Sequence, residues 1–219
     1  MDKTDTKNLY LKFRDTSFRN ENPDDYFDRI INIPPEESEN HHKVTWLNDS
    51  LKNSLPNSCK ILDVGCGGGV FLHALKNKIS NCQVSGLEPT PIFSDLAARK
   101  LFCPIFTGNF DGVIFDGEYD LITCNHVLEH ADNPISFLKN LHANLKKNGH
   151  LYIEVPSLED FDDKSLKPDN DRFLMQHLWY FSPDILKKMA ADAGFKMFKM
   201  ETRKTVIGKN DLVAIFQSI

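Results

Sequence analysis

The chain has 219 residues, 41% of them hydrophobic, with 26 Lys and Arg against 31 Asp and Glu for a net charge of −5. That balance excludes a disordered or fibrous chain, fits one globular domain, and argues against nucleic acid or anionic membrane as a partner, since both draw on a basic surface. No apolar run nears the ~18 residues of a membrane span, and the opening MDKTDTKNLY is too polar for a signal peptide, so a cytoplasmic protein is expected.

Residues 1–39 are polar and broken by Pro23, Pro34 and Pro35, and read as an irregular N-terminal extension placed to cap an active site. The domain proper is expected over 40–219. It starts with a helix carrying Val44, Leu47, Leu51 and Leu55 about one or two turns apart. KILDV (60–64) reads as a strand, and GVFLHALKNKI (69–79) as a helix with Phe71, Ala74, Leu75 and Ile79 on one face. QVSGLE (83–88), PIFSDLAARK (91–100) and CPIFT (103–107) repeat the alternation as strand, helix and weak strand.

YDLITCN (119–125) is the next predicted strand. Asn133-Pro134 opens a helix with Ile135, Leu138, Leu141 and Leu145 inward that ends at Gly149, and HLYIEVP (150–156) follows as a strand. The charged stretch 157–176 has no periodicity and reads as a lid or acceptor wall. Ser182-Pro183-Asp184 caps a last helix that stops at Gly194, and FKMFKMETR (195–203) and DLVAIFQS (211–218) close the chain as two strands. The pattern predicts an α/β fold: a Rossmann-like, seven-stranded, mostly parallel sheet with an antiparallel C-terminal hairpin and helices on both faces. The five cysteines (59, 66, 82, 103 and 124) form no CxxC pair and read as reduced thiols.

In such a fold a ligand sits at the carboxyl ends of the strands. After the first strand comes Asp63-Val64-Gly65-Cys66-Gly67-Gly68-Gly69, where glycines allow a tight turn and close approach of a ligand to backbone N–H groups. Glu88 ends the next strand, where a carboxylate can accept hydrogen bonds from both hydroxyls of a ribose. Dinucleotide loops read GxGxxG, and the third glycine is replaced here by Val70. Asp63 beside the loop would repel a pyrophosphate and favour an ammonium or sulfonium. The residues therefore favour an adenosine ligand with a cationic amino-acid tail over a nicotinamide or flavin dinucleotide.

ILDVGCGGG (61–69), GLEPT (86–90), TGNFDG (107–112), YDLITCNHVLEH (119–130) and NGHLYIEVP (148–156) together resemble the class I S-adenosylmethionine-dependent methyltransferases. The resemblance implies S-adenosylmethionine as cofactor. It places Asp63, Gly65, Cys66 and Gly67 at the methionine portion, Glu88 and Pro89 at the ribose, Asn109 and Phe110 at the adenine, and Asn125 and His126 facing the cofactor or the transferred methyl. Asn109 stands where the family often has Asp; its amide oxygen accepts the same bond without the charge.

FLMQHLWYFSP (173–183) is similar to an HLxxFS element of methyltransferases acting on sugars and other small molecules. That implies His177 as general base, with His130 beside it, and a small, carbohydrate-like acceptor rather than nucleic acid. Leu174 and Gln176 replace the Tyr and Glu typical of sugar C-methylation, which favours O-methylation. His126, Glu129 and His130 in HVLEH, with His177, are also similar to the ExxEH metal sets of quinone-pathway and RNA 3′-end methyltransferases. The first position here is His rather than Glu, and no metal is expected. A catalytically inactive cofactor-binding module is the remaining alternative.

Overall fold

The computed structural model describes residues 21–110, 118–160, 177–205 and 208–219. The expectations for residues 1–20, for the end of TGNFDG, for Leu174 and Gln176, and for most of the lid stretch (161–176) lie outside them. Among the described residues seven strands form one sheet: β1 (Lys60–Val64), β2 (Gln83–Glu88), β3 (Ile105–Thr107), β4 (Tyr119–Asn125), β5 (Leu145–Pro156), β6 (Phe195–Lys204) and β7 (Asn210–Ser218). Their order is β3-β2-β1-β4-β5-β7-β6. The first five run parallel, and β7 lies antiparallel between β5 and β6. Because β1 pairs with both β2 and β4, the chain changes direction across the sheet at β1, which sets a crevice at the carboxyl ends of β1 and β4.

The alternation of side chains along each strand sorts the core into two layers. Ile61, Leu121, Tyr152, Val213 and Ile215 face α1 (Pro23–Ile31), α2 (Glu39–Leu51), α3 (Val70–Lys78) and α4 (Pro91–Leu101). Leu62, Ile122, Leu151, Ile153, Ala214 and Phe216 face α5 (Pro134–Ala143) and α6 (Pro183–Asp192). Local chemistry sets the helix starts. Asn133 Oδ1 accepts from Ser136 N at 3.0 Å and Ser182 Oγ from Ile185 N at 3.4 Å, each before a proline that has no N–H to satisfy.

Three expectations are corrected. Residues 23–31 are helical rather than irregular: Asn22 caps Asp24 N at 2.9 Å, and Phe27 is buried in the α1–α4 layer. The helix opened by Pro134 ends at Ala143, not at Gly149, and β5 begins at Leu145, which pairs with Tyr119. Leu145 lies four residues past Leu141, a spacing that fits helix continuation, but the Asn144 cap ends the helix, its N–H bonding back to Leu141 O and His142 O. Cys59 and Cys82 are joined as a disulfide, not free thiols. They directly precede register partners Lys60 and Gln83 on adjacent parallel strands, which leaves their Cα atoms 4.5 Å apart.

Candidate active site

The glycine loop turns sharply between β1 and α3, with Gly65 at φ +73° and Gly67 at φ +54°. Gly65 has no room for a side chain, since a Cβ there would overlap Val127 Cγ2 from the turn after β4. A Cβ on Gly67 would meet nothing within 4 Å, so the loop is open on the side where a ligand would lie. Gly65 N and Cys66 N both donate to Leu87 O, at 2.8 and 3.1 Å, locking the loop to the end of β2. The Cys66 thiol points into the core against Gly86, and burial holds it well above its usual pKa, which leaves its backbone as the part that lines the crevice.

Two carboxylates support this loop. Glu88 is fully buried and accepts from Gly67 N at 2.9 Å and Thr90 N at 3.0 Å. Asp63 is 2% exposed and accepts from Thr123 Oγ1 at 2.7 Å. Burial pushes its pKa up to about 7, with the Glu88 charge adding and the Thr123 hydrogen bond opposing. Pro89 is half-buried, Asn109 exposed, and Phe110 buried with its ring 5.3 Å from that of Phe137. Both side-chain amide atoms of Asn125 are buried without a hydrogen-bond partner, at the carboxyl end of β4 beside the loop. Open space over Gly67, two buried acids and an orphaned amide fit the cationic, ribose-bearing S-adenosylmethionine.

The turn after β4 builds the second half of the site. Glu129 is fully buried, and its backbone carbonyl accepts from Leu178 N at 2.9 Å and Trp179 N at 3.1 Å. That pair of bonds pins the 177–181 segment to the turn and brings the His177 ring to 5.0 Å from the ring of His130. Burial pulls the His177 imidazole below its usual pKa, against the Glu129 charge, which favours its neutral form. The ligand atoms of Glu129, His130 and His177 lie within 4.8 Å of one another, and neither Glu129 oxygen has a hydrogen-bond partner, a set that could hold a divalent cation.

His126 follows β4 directly. Its backbone is left-handed (φ +50°), and its ring turns to Glu129, which the sequence reading named, and to Glu154 and Asp211, which it did not. It lies 3.3 Å from Glu129 Oε1, 3.7 Å from Glu154 Oε1 and 3.3 Å from Asp211 Oδ2. Burial pulls its pKa down, but the surrounding carboxylates of Asp211, Glu129 and Glu154 win and hold it well above the ordinary imidazole value. Glu154 also meets Lys43 Nζ at 2.6 Å and accepts from Tyr152 Oη at 2.5 Å. Burial opposes its ionisation, yet His126 and Lys43 hold its carboxyl below the usual range. The signal for this cluster was present in β5, where Tyr152 and Glu154 interrupt an apolar run on one face. Lys43 and Asp211 carried no such mark.

Comparisons with known proteins bear on this geometry. The sequence profile of a family described as "Methyltransferase domain" matches residues 17–199. The tRNA U34 carboxymethyltransferase of Campylobacter jejuni subsp. jejuni serotype O:2 is 28% identical over 163 residues, covering 70% of this chain and 55% of that protein. The ubiquinone biosynthesis O-methyltransferase of Photobacterium profundum is 34% identical over 103 residues, 44% of this chain and 43% of that one. The chain thus spans about half the length of the curated relatives it matches. Among solved structures, a S-adenosylmethionine-dependent methyltransferase from Clostridium acetobutylicum superposes with a TM-score of 0.69 at 12% identity, covering 90% of this chain and 99% of that one. Relatives named for action on tRNA overturn the expectation that nucleic acid is an unlikely partner, and neither curated relative above is named for a carbohydrate acceptor. Net charge is a whole-chain sum and does not report local basic surface. No described helix is long and apolar enough to cross a membrane.

Proposed function

From a chain that belongs to the methyltransferase domain family and is a S-adenosylmethionine-dependent enzyme, we propose that the methyl group goes to a hydroxyl oxygen of the acceptor, with His177 as general base and His130 as its partner. The observation that carries this reading is the half-buried His177, held beside the turn after β4 by the Leu178 and Trp179 bonds to Glu129 O, with its ring 5.0 Å from that of His130. A methyl on a sulfonium is already electrophilic, so the protein has to align the oxygen in line with the C–S bond and remove its proton. The acceptor oxygen bonds to the methyl carbon, the C–S bond electrons return to sulfur, and the hydroxyl proton passes to the imidazole. The cofactor supplies the activated methyl group. Asp63, the backbone of Gly65, Cys66 and Gly67, Glu88, Pro89, Asn109, Phe110 and Asn125 are its holding residues in this reading. In this reading residues 40–219 form the catalytic domain, against which α1 packs in the α1–α4 layer.

Mixing enzyme and S-adenosylmethionine with catechol or with total bacterial transfer RNA, and locating the new methyl by mass spectrometry, tests the hydroxyl assignment. Oxygen methylation that falls at least 100-fold in His177→Ala, with S-adenosylhomocysteine binding retained, is the expected outcome. Methyl transfer to nitrogen or carbon, or full turnover in that variant, contradicts it.

A further inference from the structure

Strand β6 is the free edge of the sheet, and its sequence, FKMFKMETRK, sets Lys196, Lys199, Arg203 and Lys204 against the single acid Glu201. In a chain with a net charge of −5 this is a local excess of positive charge. The strand spans about 30 Å at ~3.3 Å per residue. Its cations are backed by rings. Lys199 Nζ lies 4.5 Å and Arg203 Cζ 5.2 Å from the centroid of Trp46, whose indole N–H donates to Glu201 at 2.7 Å. Phe198, between two lysines in sequence, stands 42% exposed on the same edge with its ring 5.2 Å from that of His150 at a near-right angle.

The row leads to the active site. Arg203 is the register partner of Asp211, which contacts His126, and Lys209 directly precedes β7 in the hairpin that joins the two strands. Lysines on an edge strand also deter edge-to-edge pairing, but that role does not account for a partly exposed Phe198 among them or for Lys209 continuing the row past the end of the strand. A track of cations interleaved with aromatic faces is the arrangement that holds a single-stranded nucleic acid, through phosphates and stacked bases.

We propose that the β6 edge, from Lys196 over Phe198 to Lys204 and Lys209, is a docking track for a single-stranded segment of nucleic acid that leads the acceptor into the His130–His177 site. It rests on the reading of that site as the place of methyl transfer, and names the macromolecule that would deliver the hydroxyl.

The test is fluorescence anisotropy of a labelled 12-nucleotide single-stranded RNA titrated with the full chain at several salt concentrations. The wild type is compared with the triple variant Lys196→Glu/Lys204→Glu/Lys209→Glu and with Phe198→Ser. The wild type should bind with a strong salt dependence. The triple variant should bind at least 10-fold more weakly with the log–log salt slope smaller by about 2, from ~0.7 per phosphate contact on a single strand. Phe198→Ser should weaken binding several-fold with the slope unchanged. S-adenosylhomocysteine binding, measured in parallel, confirms that each variant is folded. Equal RNA affinity in wild type and triple variant overturns the proposal. So does wild-type binding to vesicles of anionic phosphatidylglycerol but not to RNA. Absence of RNA binding by the wild type with His177-dependent methylation of catechol intact would count against the track alone, whereas RNA binding with His177-independent turnover would count against the hydroxyl reading alone.

Discussion

The backbone N–H of Gly67 donates to Glu88 Oε2 at 2.9 Å, so the open crest of the glycine loop is tied to the buried acid at the end of the neighbouring strand. One side chain thus shapes the loop and, under the proposed reading, also meets the ribose of the cofactor. Glu88→Ala should weaken S-adenosylhomocysteine binding about 10- to 100-fold, from ~1.5–3 kcal/mol for hydrogen bonds to a charged group. Glu88→Gln should recover part of it. Isothermal calorimetry on the three proteins is the check.

Asp63 sets stability against function. Its folded pKa, about 7, lies above the ordinary carboxylate value of 3.8, so the folded state binds the proton more tightly than the unfolded chain. Its contribution to stability is present below pH 4 and is lost progressively as pH rises toward 7. Asp63→Asn should therefore raise the melting temperature of the cofactor-free protein at pH 8 and leave it nearly unchanged at pH 4. A cofactor cation beside Asp63 favours the ionised form. S-adenosylmethionine should accordingly bind more tightly as pH rises from 6 to 8, a trend that Asp63→Asn removes.

Gly65 tests the packing between the two halves of the site. With φ at +73° and Val127 Cγ2 where a Cβ would sit, Gly65→Ala combines backbone strain of roughly 1–3 kcal/mol with steric overlap. Urea unfolding should show that loss. Adding Val127→Ala should restore only the steric part, because the strained backbone angle remains.

The buried Lys43–Glu154 pair joins α2 to the floor of the site, its side chains 12% and 0% exposed. Lys43→Met leaves Glu154 with a buried charge short of one partner, which costs about 3–5 kcal/mol in such pairs. Glu154→Gln in the same chain should regain much of the loss. A double-mutant cycle in urea, giving a large coupling between the two positions, is the expected outcome.

Much of the fold was legible because burial and chain direction leave plain marks. Alternating β and α segments, proline after Asn133 and Ser182, and glycines after β1 each have a local cause, and the strands appear within two residues of their predicted limits except at the start of β5. There the helix period through Leu141 and Leu145 could not register that Tyr119 pairs with Leu145. The cysteine reading missed the bond between Cys59 and Cys82 because parallel register, not spacing, brings them together. The glycine loop, Glu88 and the histidines could be named from the chain because their chemistry follows short motifs. The Lys43–Glu154–His126–Asp211 cluster could not, since its members come from α2, β5, the turn after β4 and β7 and meet only when the sheet is assembled.

The most direct test of the central claim is a rapid-quench measurement of a single methyl transfer to catechol or transfer RNA, whichever oxygen is methylated, in wild type, His130→Ala and His177→Ala, each saturated with S-adenosylmethionine. Base catalysis by one positioned side chain contributes about 10²- to 10⁴-fold. The chemical step should slow by that factor in His177→Ala and by less in His130→Ala, with S-adenosylhomocysteine affinity unchanged in both. A wild-type rate in His177→Ala would contradict the assignment.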